Sequence, residues 1–147
     1  MKKIVKTMNE DGSWQVENWK DDKLHGKSEC VRADGSWEIS HWRDGKRHGR
    51  WEETNADGSW RVDNWKNDER HGKCEWIDLD GSWEVGHWKN DKLHGKCEWI
   101  DAHGSWGCSN HRDDHYHGRY EWTRVDGSWI VEIYDDGTLV SRETSED

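Results

Sequence analysis

The sequence predicts an all-β chain: an elongated single-layer antiparallel β-meander made of tandem 23-residue β-hairpins. Three observations predict it. The tetrapeptide Asp-Gly-Ser-Trp begins at Asp11, Asp34, Asp57, Asp80 and Asp126, with a His103 variant between the last two, always 23 residues apart. His-Gly recurs on the same step at His25, His48, His71, His94 and His117. Between these marks, apolar and polar residues alternate with period two, as in Trp83-Glu84-Val85 and Cys97-Glu98-Trp99, which is the strand period. Internal repetition at a fixed step marks a repeat architecture.

From the N-terminus, residues 1–10 form half a repeat, about five full repeats follow, and 126–147 close the array, so 1–147 is one repeat domain with a cap at each end. Each repeat carries two turn signals. One is the Lys89–Lys92 type, with Asp-Gly at Asp44-Gly45 and Asp136-Gly137; the other is the Asp-Gly of Asp-Gly-Ser-Trp. Asp, Asn and Gly tolerate positive φ and favour tight hairpins. With no long connection, successive strands are antiparallel, about eleven in all. A two-residue turn at Asn90-Asp91 alone sets Val85 against Lys96 and wastes the apolar positions. One extra residue, a bulge at Gly95, sets Val85 against Cys97 and Trp83 against Trp99. Trp99 then faces Trp106, and Cys97 faces Cys108.

This register implies three ladders. One joins Trp60, Trp76, Trp83, Trp99, Trp106, Trp122 and Trp129; a second on the same face joins Val62, Cys74, Val85, Cys97, Cys108, Tyr120 and Val131. The third, on the opposite face, alternates Trp42, His48, Trp65, His71, Trp88 and His94. Lys27, Arg50, Lys73, Lys96 and Arg119 form a basic column, and Glu29, Glu52, Glu75, Glu98 and Glu121 an acidic one.

Composition limits the function. There are 14 Trp, no Phe and no Pro, and 37% of residues are charged. That much charge suggests disorder, but disordered chains are poor in aromatics. The net charge of −10, with signs interspersed, lacks the basic stripe that nucleic acid requires, and also lacks the dense acidic face of a nucleic-acid mimic. No apolar run is long enough to span a membrane or to serve as a signal peptide. Four Cys in such a chain point to a reducing, cytoplasmic setting.

Ten His and four Cys are enough to suggest a metal site or a disulfide. Equivalent columns lie two strands apart, about 9.5 Å, too far for successive His to share a metal. His25, His48, His71, His94 and His117 therefore read as structural. Repeat five is the exception: His103, His111, His115 and His117 crowd there, and the register brings His94, His111 and His117 together as the best metal candidate. Cys97 and Cys108 are expected neighbours, read as reduced core thiols, and Cys74 and Cys97 are too distant for a disulfide. No nucleophile elbow, phosphate loop or HExxH motif is present, and residues repeated in every unit do not make the one special place an active site needs. The chain therefore reads as a non-catalytic interaction or scaffold protein without a cofactor. Its expected binding surface is the row Trp60, Trp76, Trp83, Trp99, Trp106, Trp122 and Trp129, its partner a protein, and its edge strands a route to a homodimer. The rival is a carbohydrate-binding module that stacks sugars on exposed Trp.

The block from Gly86 to Trp99 (Gly-His-Trp-Lys-Asn-Asp-Lys-Leu-His-Gly-Lys-Cys-Glu-Trp) resembles the MORN repeat, whose pattern is close to Tyr-x-Gly-x-Trp-x-x-Gly-x-x-x-Gly-x-Gly. Trp19, Trp42, Trp65 and Trp88 match the family's Trp. Gly26, Gly49, Gly72, Gly95 and Gly118 match its central Gly. The family's Tyr is replaced by Gln15, Glu38, Arg61 and Glu84, its first Gly survives only at Gly86, and its last Gly gives way to Ser28, Trp51, Cys74, Cys97 and Tyr120. These departures suggest a divergent branch nearer the bacterial and giant-virus variants. The resemblance implies a twisted hairpin array used for protein scaffolding, dimerisation or phospholipid contact.

Overall fold

A computed structural model describes residues 1–146, and among them every regular element is a strand. The first hairpin shows how a repeat is built. Strand β2 (Trp14–Lys20) turns at Asp21-Asp22 into the short β3 (Lys23–Leu24), breaks at His25, and continues as β4 (Gly26–Val31). The same triplet recurs as β5 (Trp37–Arg43), β6 (Lys46–Arg47) and β7 (Gly49–Thr54), then as β8 (Trp60–Lys66), β9 (Glu69–Arg70) and β10 (Gly72–Ile77). It recurs again as β11 (Trp83–Lys89), β12 (Lys92–Leu93) and β13 (Gly95–Ile100), and as β14 (Trp106–Arg112), β15 (His115–Tyr116) and β16 (Gly118–Thr123). Strand β1 (Lys2–Met8) precedes the array, and the hairpin of β17 (Trp129–Asp135) and β18 (Thr138–Thr144) closes it. All pairings are antiparallel between neighbours along the chain, giving one open 18-stranded sheet. The 18 strands exceed the eleven or so expected, five of the excess arising because the second strand of each full repeat is cut in two by its bulge.

The tight turns follow from their residues. Both central positions have positive φ at Asp21-Asp22, Asp44-Gly45, Asn67-Asp68, Asn90-Asp91, Asp113-Asp114 and Asp136-Gly137, the type I′ geometry that matches strand twist. Each turn also docks on the preceding repeat. The Asp91 N–H donates to the Arg70 carbonyl (3.0 Å), while Asp91 Oδ1 accepts the Arg70 N–H (2.7 Å). Asp68 clamps Arg47 and Asp114 clamps Leu93 in the same way. Where Gly45 or Gly137 stands instead, only the backbone bond forms, to Leu24 and Tyr116. This explains why Asp occupies a position where Gly would fit the backbone better.

The second turn is a different device. Gly12 N–H donates to Asn9 O, Asn9 N–H donates to Ser13 O, and Gly12 has φ +85°. This is a type I turn followed by a glycine bulge. Asp11 Oδ1 accepts both the Ser13 N–H (2.9 Å) and its hydroxyl (2.6 Å), and Asp34, Asp57, Asp80 and Asp126 repeat the arrangement. In repeat five, where His103 replaces the Asp, Asp101 takes over by accepting the His103 and Ser105 N–H groups.

The register differs from the expected one. Trp88 faces Leu93, yet Val85 faces Glu98 and Trp83 faces Ile100. Three steps along β11 are therefore matched by five on its partner: the bulge adds two residues, His94 and Gly95. The His94 N–H still reaches His87 O (2.9 Å), so His belongs inside the bulge with Gly95, whose φ is +104°. Across the second turn Ile100 faces Trp106, Trp99 faces Gly107, and Cys97 faces Ser109. A one-residue change of register reverses which side chains share a face. The two expected ladders are therefore each split between faces, and Cys97 and Cys108 point to opposite sides. The one-residue bulge that the sequence suggested occurs only in the last hairpin. There Tyr134 faces Leu139 and Ile133 faces Ser141, where Val140-Ser141 replaces His-Gly.

Candidate interaction surfaces

The true register sorts the repeat into two faces. Face 1 carries Trp14, Trp37, Trp60, Trp83, Trp106 and Trp129, with Val31, Thr54, Ile77, Ile100 and Thr123 on the strands between them. A second row alternates Val16, Ile39, Val62, Val85, Cys108 and Val131 with Glu29, Glu52, Glu75, Glu98 and Glu121. Each Glu is paired with the base two residues before it, Lys27, Arg50, Lys73, Lys96 or Arg119, so the row carries no net charge. The Trp are half-buried in the early repeats and reach 47% exposure at Trp106 and 38% at Trp129.

Face 1 also closes the bulge. The Asn18 side-chain amide donates to Lys27 O (2.6 Å), and Asn64 and Asn110 do the same to Lys73 and Arg119. His41 and His87 reach Arg50 O (2.7 Å) and Lys96 O (2.9 Å) from the same column. Each satisfies a carbonyl that the bulge removes from the ladder. This column recurs every 23 residues in the sequence, so its repetition was a usable signal that the sequence reading passed over.

Face 2 carries the Trp that matched the repeat pattern, and here the expected Trp–His alternation is corrected. Trp42 faces Arg47, Trp65 faces Arg70, Trp88 faces Leu93 and His111 faces Tyr116. Arg47 lies over the rings of both Trp42 (5.8 Å) and Trp65 (5.1 Å), and Arg70 over Trp65 (5.6 Å) and Trp88 (4.9 Å). These partially desolvated cation–π contacts cement neighbouring repeats. Tyr116 continues the stack between His111 (4.9 Å) and Tyr134 (5.1 Å). Two indole N–H groups are satisfied two residues back, Trp19 by Glu17 and Trp42 by Ser40, while that of Trp65 is buried without a partner among the described residues. Trp76, Trp99 and Trp122 belong to face 2, not to the face of Trp60, Trp83, Trp106 and Trp129. Trp99 covers Gly107 and touches Tyr120 (5.7 Å); Arg124 lies over Trp122 (4.7 Å).

Three of the five His of the bulge bind the next repeat's turn, while Nδ1 of His48 and of His94 has no hydrogen-bond partner among the described residues. His25, His71 and His117 accept through Nδ1 the N–H of Asp44 (3.3 Å), Asn90 (3.4 Å) and Asp136 (3.2 Å). His94 lies 3.5 Å from Asp113. His94, His111 and His117 are thus engaged with different partners and are not brought together. Burial lowers the His111 pKa from its ordinary value of 6.5, against the opposing pull of Asp114 and Glu84. Among the described residues, the one group of three donors within 4.8 Å is His117, Asp135 and Asp136. Arg112 already supplies its positive charge, 2.7 Å from Asp136.

The four Cys are free. Cys74 and Cys97 are buried on face 2 on either side of Gly86, and burial pushes both thiols up to about 12. Asp63, only 2% exposed, is paired with Arg61 at 2.9 Å.

A family model for the MORN repeat matches residues 18–37, 39–60, 64–83 and 85–105, more than half of the chain. The chain belongs to the MORN-repeat family. Its MORN-type Trp and central Gly, together with the columns that depart from the family pattern, are the elements that build face 2 and the bulge. The Trp of Asp-Gly-Ser-Trp lie on face 1. No curated protein matches the chain. Among solved structures, it is similar to the TCP domain of Drosophila melanogaster SAS-4 (dCPAP) in complex with a proline-rich motif of Ana2 (dSTIL). That pair shares 17% identity, covers 96% of this chain and 88% of the other, and has a TM-score of 0.39. The G-box domain of the microcephaly protein CPAP gives 13% identity, 97% and 98% coverage and a TM-score of 0.40. The TCP10 domain of Danio rerio CPAP gives 13% identity, 95% and 88% coverage and a TM-score of 0.33.

Proposed function

We propose that this MORN-repeat chain is a non-catalytic protein-interaction module and that face 1 is its docking surface. The observation that carries this reading is the Trp row of face 1. The face 2 aromatics are half-buried, apart from the exposed Tyr116, and stack against Arg, Leu and Tyr of the same chain, whereas among the described residues the face 1 Trp have no such stacking partner and pass from half-buried to exposed at Trp106 and Trp129. Aromatic rows left uncovered on a sheet mark interaction sites. The surface is therefore Trp14, Trp37, Trp60, Trp83, Trp106 and Trp129, with Trp76, Trp99 and Trp122 reassigned to packing on the other face. The same positions in every repeat favour an extended partner over a single compact ligand.

The test is selection of a random fifteen-residue peptide library on the wild-type chain and on a Trp106→Ala variant. Peptides whose binding depends on Trp106 are expected. Enrichment of the same peptides on both proteins contradicts the reading, as does saturable Trp quenching by a cello- or chito-oligosaccharide with no peptide selected.

A further inference from the structure

The face 1 Trp are separated by two strands, a spacing of about 9.4–9.8 Å at 4.7–4.9 Å per strand. Between successive Trp lies a slot floored by the β-branched residue (Val, Thr or Ile) of the intervening strand. Val31 floors the slot between Trp14 and Trp37, Thr54 that between Trp37 and Trp60, and Ile100 that between Trp83 and Trp106. A partner laid across the strands must offer one group per slot at that interval.

Only one regular backbone does so. A β-strand returns to the same face every two residues, about 6.6–6.8 Å, or every four, about 13.2–13.6 Å, and misses the slots. Two turns of an α-helix advance about 10.8 Å, an error of about 1.0–1.4 Å per slot that accumulates to about 4–6 Å over four steps. A polyproline II helix repeats every three residues, about 9.3 Å, and drifts by about 0.4–2 Å over the same distance. Its stiffness also reduces the ordering cost of binding, and aromatic slots suit proline rings.

Charge supplies a second constraint. The row beneath the Trp is internally neutralised by its Glu–Lys and Glu–Arg pairs. At the adjoining rim, three residues ahead of each Trp, stand the exposed carboxylates of Asp11, Asp34, Asp57, Asp80 and Asp126, interrupted once by His103 and joined by Arg32 beside Asp34 and Arg124 beside Asp126, so that Asp11, Asp57 and Asp80 carry the unopposed charge. A ligand matching both rows is uncharged at the slot positions and basic at the rim, with the same three-residue period.

Resting on the reading of face 1 as a docking surface, we propose that its occupant is a basic, proline-rich segment in the polyproline II conformation. It crosses the strands with one proline per Trp slot and one Lys or Arg of each triplet reaching the Asp row.

The test is titration of the intact chain, followed by Trp fluorescence and calorimetry, with three synthetic peptides: (Pro-Pro-Arg)5, (Pro-Pro-Glu)5 and (Ala-Ala-Arg)5. The proline–arginine peptide should bind at least about tenfold more tightly than either control. Trp106→Ala and Thr123→Lys, the second of which fills a slot while leaving every Trp in place, should each remove most of that advantage. Asp57→Asn with Asp80→Asn should flatten its salt dependence. Equal binding of (Ala-Ala-Arg)5 overturns the proposal, because that is the response of any acidic surface to any polycation. So does indifference to both slot variants when circular dichroism shows them folded. If the library selection instead yields Trp106-dependent peptides that lack proline, face 1 remains a docking surface and the polyproline assignment fails. If neither the probes nor the library binds, both readings fail.

Discussion

Gly107 shows how closely one residue can be fixed by its surroundings. A Cβ there would lie 2.5 Å from the Glu121 carbonyl oxygen and 2.5 Å from the Trp99 ring, so the indole rests against bare backbone. Gly107→Ala should destabilise the chain by about 1–3 kcal/mol through overpacking. It should also alter Trp99 emission, while Gly12→Ala, which meets no atom within 4 Å, strains only its turn. Equal melting temperatures for wild type and Gly107→Ala would contradict this packing. The Asp of the Asp-Gly-Ser-Trp turns make a second case. Asp11, Asp34, Asp57, Asp80 and Asp126 are held below the ordinary value of 3.8 by the hydroxyl, then the N–H, of the Ser two residues on. A carboxylate depressed in the folded state adds stability that is fully present above its ordinary value and is lost as pH falls through its folded one. Thermal melts should show this contribution unchanged from pH 7 to 5 and failing below about 3.8. Replacing all five by Asn, which keeps the turn but cannot titrate, should shallow that acid limb; an unchanged limb would assign acid unfolding to other groups.

At the level of strands and turns, the sequence revealed nearly everything except the size of one bulge. Period-two alternation and paired Asp or Asn residues located the hairpins, because strand pleat and positive φ leave direct marks on residue choice. The Gly95 column announced a bulge for the same reason. It did not announce how many residues the bulge holds, since His94 enters it through a backbone bond to His87 O and nothing about histidine requires that. That one residue inverted the faces of Trp99, Cys97 and their equivalents, and with them three of the seven Trp of the expected binding row. The Arg47 and Arg70 stack was hidden for a related reason: only the tight-turn register, kept for two residues before the bulge, sets Arg47 opposite Trp42. The Asp68, Asp91 and Asp114 clamps were unreadable because they join turns of different repeats, 21 residues from their partners. What was legible therefore lay within a hairpin, and what was missed lay at the bulge or between repeats.

For the whole molecule, each repeat is held mainly by its neighbours, through backbone ladders, turn clamps and the face 2 stack, so stability should be spread along the array. The net charge of −10 is accompanied by ten His, and protonation of all ten would bring the formal charge to zero. Solubility should therefore pass through a minimum in mild acid; a solubility unchanged between pH 7.5 and 5 would contradict that expectation. The whole functional account depends on Val, Thr or Ile, and not a second Trp, standing between successive Trp of Asp-Gly-Ser-Trp, and that depends on a two-residue bulge. Cross-strand nuclear Overhauser contacts between β11 and β13 test it most directly. The account predicts contacts from Trp83 to Ile100 and from Val85 to Glu98. Contacts from Trp83 to Trp99 and from Val85 to Cys97 would mean a one-residue bulge, and the row of Trp slots on face 1 would not exist.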